Sequence, residues 1–187
     1  MQIKQISKWL ILFTGLPLTA LGADVNINSV LEGDVLCDPT SNSWFYKPTP
    51  GEATINALSE AGWLSNRPID ARGEKVYKVE AGKKWLDFSI HTVTMPNESE
   101  STVIFGSKVE LGGRASNVSR EIDKVISGGL AGQDFKPAAS SAGQSTFKRV
   151  VRYRDGLVYS VVVNEARPGR TMVFCSIGKM MPTPAKK

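Results

Sequence analysis

The sequence has very little of the residue chemistry on which most metal and catalytic sites depend. Among its 187 residues there are one histidine and two cysteines. A metal site with two histidines cannot be built from one, and Cys37 and Cys175 are too far apart in the sequence to form a Cys-x-x-Cys pair. We therefore expect neither a metal nor a cofactor.

The single histidine, His91, is the one candidate for a catalytic histidine. If residues 84–95 form one strand, Asp87, Ser89 and His91 point to the same side of it. Their Cα atoms are then about 6.6 Å apart from one to the next, with parallel side chains. That is poor geometry for the ~3 Å hydrogen bond of a Ser–His pair. We therefore interpret these residues as a solvated strand face.

The sequence also lacks a cluster of basic residues. Its 23 lysines and arginines against 18 aspartates and glutamates give a formal net charge of +5. Leaving out Lys4 and Lys8 lowers this charge by two, to +3. So weak an excess, without any basic block, gives no reason to expect nucleic acid as a partner.

No apolar run in the sequence is long enough to cross a bilayer. The N-terminal run covers residues 9–18, against the roughly 20 residues that a membrane-spanning helix needs. Lys4 and Lys8 precede this run, and small residues at 19–23 follow it. This layout predicts a signal peptide over residues 1–23 that is cleaved on export. The mature protein is then periplasmic or secreted, with no membrane span.

The two cysteines of an exported chain are most simply explained as one disulfide bond. We predict that Cys37 and Cys175 pair within the chain, which would tie the two ends of the mature protein together. Two free thiols, or pairing with another chain, are the alternatives.

The clearest strand signals lie between residues 147 and 177. Asp155-Gly156 separates two runs rich in valine and tyrosine, which is the strongest short-range mark of a two-residue hairpin turn. Arg167-Pro168-Gly169 predicts a second turn, into a third strand that carries Cys175. Because residues 157–163 are apolar at nearly every position, we expect that middle strand to lie inside a sheet.

Two helices are expected in the rest of the chain. A capping box at residues 49–52 begins the first helix, and Gly62 closes it, with Trp63 packing back on Leu58. The second helix is expected to have its N-cap at Ser116 and an apolar stripe of Val118, Ile122, Val125 and Ile126. Residues 129–145, which follow it, are typical of a long loop.

The fold class follows from these elements. Further strands are expected at residues 34–37, 75–80, 84–95 and 102–111. We predict an α+β fold in a single domain, with an antiparallel sheet of about six or seven strands and two helices, its ends tied by the disulfide. The domain is expected to span residues 24–179 and to be followed by a flexible tail at 180–187.

The turn at Asp155-Gly156 predicts the register of the hairpin around it. It places on one face the pairs Arg154 with Leu157, Arg152 with Tyr159, Val150 with Val161 and Lys148 with Val163. That face would carry three cations beside an aromatic ring, with Arg152 placed for a cation–π contact on Tyr159.

Such a mixture is typical of a surface that binds an acidic protein. We take as candidate partner-binding residues Lys148, Arg152, Arg154 and Tyr159, together with Phe135 in the long loop. The alternative is that the charges only keep an outer strand from pairing with another molecule.

These observations favour an exported, non-enzymatic protein that binds another protein, as a periplasmic inhibitor or a toxin-immunity protein does. A second hypothesis is a structural or assembly component of the cell envelope. A third is a small secreted hydrolase that uses carboxylates. Its candidates are Glu74, Asp87 and Asp123, whose spacing matches no known catalytic pattern.

Overall fold

The computed structural model describes residues 26–37, 50–65, 67–96, 104–126, 134–138, 145–154 and 156–179. Within these ranges the chain forms three α-helices and nine β-strands, which in chain order are α1 (Ile27–Val35), α2 (Pro50–Glu60), β1 (Ile69–Ala71), β2 (Glu74–Lys78), β3 (Lys84–Trp85), β4 (Phe88–Met95), β5 (Ile104–Gly112), α3 (Ala115–Ile126), β6 (Lys136–Ala138), β7 (Thr146–Arg154), β8 (Leu157–Arg167) and β9 (Arg170–Lys179). The predicted signal peptide over 1–23 and tail over 180–187 lie outside the described residues.

The strands form one antiparallel sheet in the spatial order β1-β2-β4-β5-β9-β8-β7-β6, with β3 paired to β4 beside this path. The predicted α+β class with an antiparallel sheet is confirmed, and β8 lies inside the sheet as expected. The predicted numbers of strands and helices are too low. One reason is that β1, β3 and β6 have only two or three residues each, which is too short for an alternating pattern to be seen.

The predicted strand at residues 34–37 is wrong, because this segment ends helix α1. Asn26 caps the helix, and its side-chain oxygen accepts hydrogen bonds from the backbone N–H groups of Asn28 and Ser29. Leu31 and Val35, four residues apart on one face, are fully buried. The stripe spans only two helical turns, so the short apolar run around Val35 could equally suggest a strand.

The end of helix α2 agrees with the prediction. Gly62 has φ +66°, and the N–H of Trp63 donates to the carbonyl of Leu58 at 2.8 Å. Together with the bond from the N–H of Gly62 to the carbonyl of Ser59, this is the Schellman termination that a glycine permits.

The predicted strand at residues 84–95 is interrupted by a tight turn. Leu86 and Asp87 have φ values of +49° and +64°, and they connect β3 to β4 as a two-residue hairpin loop. Positive φ is uncommon for leucine, so the sequence gives no turn signal here. The side chain of Trp85, just before the turn, is 1% exposed and belongs to the core.

Helix α3 and the segment after it also differ from the prediction. The helix begins at Ala115, so Ser116 lies inside it and is not its N-cap. Val118 and Ile122 are buried as expected, whereas Val125 is 40% exposed. The predicted loop at 129–145 contains strand β6, which pairs with β7, and Phe135 just before this strand packs against the core.

The two faces of the sheet have different surroundings. Alternate residues of the central strands, among them Val109, Val161 and Val173, share one hydrophobic cluster with Leu31 of α1, Leu58 of α2 and Ile122 of α3. We call this side the covered face. We call the opposite side, where Val162, Met172 and Phe174 lie by register, the open face.

The predicted disulfide is confirmed. Cys37 and Cys175 are bonded, with their Cα atoms 5.3 Å apart, across a sequence separation of 138 residues. Both side chains are buried. The bond fixes the C-terminal end of α1 to β9, which lies between β5 and β8 in the middle of the sheet.

A buried carboxylate makes a second connection between α1 and the sheet. Asp34 is 3% exposed, and its carboxylate accepts hydrogen bonds from the backbone N–H of Ser107 at 3.2 Å and from the Ser107 hydroxyl at 2.5 Å. Burial raises the pKa of Asp34 to about 6, although hydrogen bonds from Ser107 and Thr54 act in the opposite direction. Next to Ser107, Gly106 has φ +80°, and a Cβ atom there would lie 1.5 Å from the carboxylate oxygen.

The disulfide should contribute a large part of the stability. Replacing Cys37 by serine should lower the free energy of unfolding by about 2–5 kcal/mol, because the unfolded chain regains the entropy of a long open loop. For a chain of this size that corresponds to a fall in melting temperature of roughly 4–20 °C, which calorimetry would measure. The melting temperatures of Cys175→Ser and of the double variant should fall by the same amount. A single variant as stable as the wild type would contradict the expectation.

The pKa of Asp34 predicts that the fold loses stability as the pH rises. The folded state holds the Asp34 proton more tightly than the unfolded chain does. Protonated Asp34 therefore contributes its full stabilisation below about pH 4, and this contribution is lost as the pH rises through 6. Two units of pKa correspond to roughly 3 kcal/mol. Urea unfolding at pH 4 and pH 7.5 should show this loss in the wild type relative to Asp34→Asn, which carries no titrating group. Equal pH dependence in the two proteins would refute it.

Candidate protein-binding surface

The hairpin of β7 and β8 has the predicted two-residue turn. Arg154 pairs with Leu157 and Arg152 with Tyr159, as expected. Gly156 has φ +73°, the left-handed conformation that such a turn requires.

Farther from the turn, the predicted register is wrong. A β-bulge after Val150 shifts the pairing, so Val150 lies opposite Ser160 and not Val161, and Lys148 lies opposite Val162 and not Val163. Because side chains alternate along a strand, a shift of one residue moves each side chain to the other face. Nothing in the residues around Val150 marks the position of the bulge.

The predicted set of binding residues is therefore divided between two faces. Tyr159 is 6% exposed and belongs to the core on the covered face, whereas Lys148 is exposed on the open face. Phe135 is half-buried against the core. The side chains of Arg152 and Arg154 lie outside the part that the structure describes.

The pairing of the strands places a different group of side chains together on the open face. Direct cross-strand partners form one continuous row, which runs through Ile69, Val76, Thr94, Lys108, Phe174, Val162, Lys148 and Lys136. At its centre, Phe174 and Val162 are half-buried neighbours, and Met172 and Val150 flank them in the adjacent rows. The centre of the open face is thus an apolar patch that remains partly exposed to solvent.

Cations surround this apolar patch. By register, the charged positions of the open face are the cations Lys78, Lys108, Lys136, Lys148, Arg167 and Arg170 and the carboxylates Glu74 and Glu110. These positions give an excess of four positive charges. The face therefore has a clearly positive sign, although the whole chain is only weakly basic.

Both carboxylates of the open face are already engaged within it. Glu74 forms an ion pair with Lys108. Glu110 accepts hydrogen bonds from Arg167 at 3.1 Å and from the Thr92 hydroxyl at 3.3 Å, and its side chain is 9% exposed. They satisfy two of the cations. Strands β6 and β7 contain no carboxylate, and the described carboxylate nearest to Lys136 in the sequence is the exposed Asp134, just before β6.

At that end, two lysines lie directly opposite each other. Lys136 of β6 pairs with Lys148 of β7, and both side chains are exposed. Within the described ranges, neither lysine forms an ion pair with a carboxylate. Like charges in directly opposed positions destabilise a sheet, so this pair costs stability and does not support the fold.

The candidate catalytic residues are not brought into one site. Asp87 lies in the β3–β4 turn, outside the strand on which the prediction places it, whereas Ser89 and His91 both lie beside Gly112 of β5; the predicted shared side therefore fails for Asp87. Asp123 of α3 forms an ion pair with Arg149 at 2.6 Å, on the covered side of the sheet. Glu74 is paired on the opposite face, so the two carboxylates do not meet.

The described residues contain neither a metal-binding cluster nor a membrane-spanning helix. Nowhere in them do three or more histidine, cysteine, aspartate or glutamate side chains come together as a metal ion would need. Their helices also include none with both the length and the apolar character for crossing a bilayer.

Comparison with known proteins gives no relative. No family model, no curated protein and no solved structure matches this chain. We therefore infer function from the chemistry of the open face.

The residues of the open face were missed in the sequence for two physical reasons. Met172, Val173, Phe174 and Cys175 are apolar one after another, so no alternation separates the buried face from the open one. Lys136 falls in a segment whose glycines and alanines suggest a loop. A strong positive charge on one face is visible only when the register of all the strands is known.

The placement of Tyr159 in the core and of Lys148 on the open face can be tested by measuring the stability of two variants. Tyr159→Ala should lower the free energy of unfolding by about 3 kcal/mol or more, because it removes a ring from the core. Lys148→Ala should change it by less than about 0.5 kcal/mol, because the side chain is exposed. Chemical denaturation of both variants checks this, and equal effects would mean that Tyr159 is not a core residue.

Proposed function

We propose that this chain is an exported, non-enzymatic protein that binds another protein through the open face of its sheet, in the manner of an inhibitor or an immunity protein. The observation that carries the proposal is the half-buried patch of Phe174, Val162 and Met172, which lies in the centre of the sheet with cations around it.

This arrangement fits the general anatomy of protein interfaces. Their centres are apolar and contain aromatic side chains, and their rims are polar and accessible to water. Phe174 lies on the central strand β9, where backbone hydrogen bonds on both sides hold it in place. A rigid ring in such a position loses little conformational entropy on binding, which favours it as an anchor.

The positions and ion pairs of the candidate carboxylates favour a binding function over a hydrolase. Glu74 and Asp123 are occupied by ion pairs with Lys108 and Arg149, and they lie on opposite sides of the sheet. Hydrolysis by a pair of carboxylates, as in glycoside hydrolases, would need both groups to flank one substrate bond.

Replacing the central ring should weaken partner binding strongly. The tagged mature protein is used to capture its partner from the cells that produce it, and the partner is identified by mass. Phe174→Ser should then weaken binding of the purified partner by about 30-fold or more, as expected for a central anchor worth ~2 kcal/mol. Isothermal titration calorimetry would measure the affinity.

Val125→Ser is the matched control, because Val125 is an exposed apolar side chain on α3, on the covered side of the sheet. It should bind the partner as the wild type does. A folded Phe174→Ser variant with unchanged affinity would overturn the proposal. Sedimentation of the wild type with the cell envelope in large assemblies, instead of a near 1:1 complex, would favour the structural-component hypothesis.

A further inference from the structure

The two opposed lysines at the β6–β7 end of the open face define what kind of partner it takes. We infer that the partner presents an acidic segment, in which a carboxylate lies between Lys136 and Lys148 and a neighbouring apolar side chain lies on Val162 and Phe174. This inference rests on the proposed function and specifies the chemistry of its site.

The spacing of the lysines fits one carboxylate. Directly opposed residues of antiparallel strands have Cβ atoms about 4.5–5.5 Å apart. A carboxylate has two acceptor oxygens, so it can receive a hydrogen bond from each of two ammonium groups. Binding would convert the repulsion between Lys136 and Lys148 into two charge-assisted hydrogen bonds.

The length of the row fits a short stretch of chain. Phe174, Val162, Lys148 and Lys136 lie on four neighbouring strands, which are about 4.8 Å apart, so the row spans roughly 14 Å. An extended segment of about four residues covers that distance. In an extended segment residues two apart face the same side, so an apolar residue followed two positions later by an acidic one would contact the apolar half and the basic half of the row.

Two other occupants, the chain's own residues 180–187 and a nucleic acid, fit this row less well. The chain's own residues 180–187 include Lys186 and Lys187 and no aspartate or glutamate, so the same cations would repel them. The phosphates of a nucleic acid would satisfy the lysines but would leave Phe174 and Val162 without an apolar contact. An acidic protein segment satisfies both halves of the row.

The inference can be tested with a defined peptide before any partner is known. The probe is a soluble peptide of about eight residues that repeats Leu-Ser-Glu-Ser, which places leucine and glutamate on the same side when extended, and its matched control has glutamine in place of glutamate. We expect the glutamate peptide to shift the NMR signals of Lys136, Lys148, Val162 and Phe174 in the isotope-labelled protein. The glutamine peptide should bind at least about tenfold more weakly, because the charge contribution is lost.

Lys136→Glu/Lys148→Glu is the corresponding protein variant. Its affinity for the glutamate peptide should be lower than that of the wild type by about tenfold or more. This difference should shrink as the salt concentration rises past ~0.15 M. Lys75→Glu/Lys84→Glu changes the net charge by the same amount at two exposed lysines away from this end, and it should bind as the wild type does.

The outcomes separate this inference from the proposed function. Equal binding of the glutamate and glutamine peptides would overturn the inference. So would oligothymidylate or phosphatidylglycerol vesicles binding at these residues in place of the glutamate peptide. If the captured partner still depends on Phe174 but not on Lys136 and Lys148, the protein-binding function stands and only the acidic character of the partner is wrong.

Discussion

The bond between Cys37 and Cys175 is the constraint on which the rest of the structure depends. It joins the first described helix to the strand in the middle of the sheet, so the helical layer cannot move away from the sheet at that point. Asp34, three residues earlier, makes a second attachment to β5 through Ser107. One face of the sheet is held under the helices in this way, and on the opposite face the described side chains of Val162, Met172 and Phe174 stay partly exposed to solvent.

The sequence predicts the elements that have strong local chemistry. The turn at Pro168-Gly169, the glycine that ends α2, the continuous apolar strand β8 and the disulfide all follow from residue types whose conformational effects are specific. The elements that it does not predict are decided by contacts distant in sequence. The turn at Leu86 and Asp87 forms against the preference of leucine, in a hairpin whose buried Trp85 belongs to the core.

The candidate site was predicted less well than the fold, and the β-bulge after Val150 is the reason. One extra residue exchanged the faces of Lys148 and Arg149, so a plausible basic and aromatic surface became two separate groups. Of the predicted binding residues, Lys148 lies on the open face, whereas Tyr159 lies in the core on the covered face. Arg149 is buried with Asp123, and Lys148 instead lies beside Val162 and opposite Lys136.

The central position of β9 also determines when the sheet can form during synthesis of the chain. β9 is the last of the described strands, and it separates β5 from β8, so both of these strands have an unpaired edge until residues 170–179 have been synthesised. A chain that has emerged only as far as β8 cannot close its sheet or form its disulfide. The sheet can therefore close only after residues 170–179 have been synthesised, and until then β5 and β8 each keep an edge that could pair with another strand.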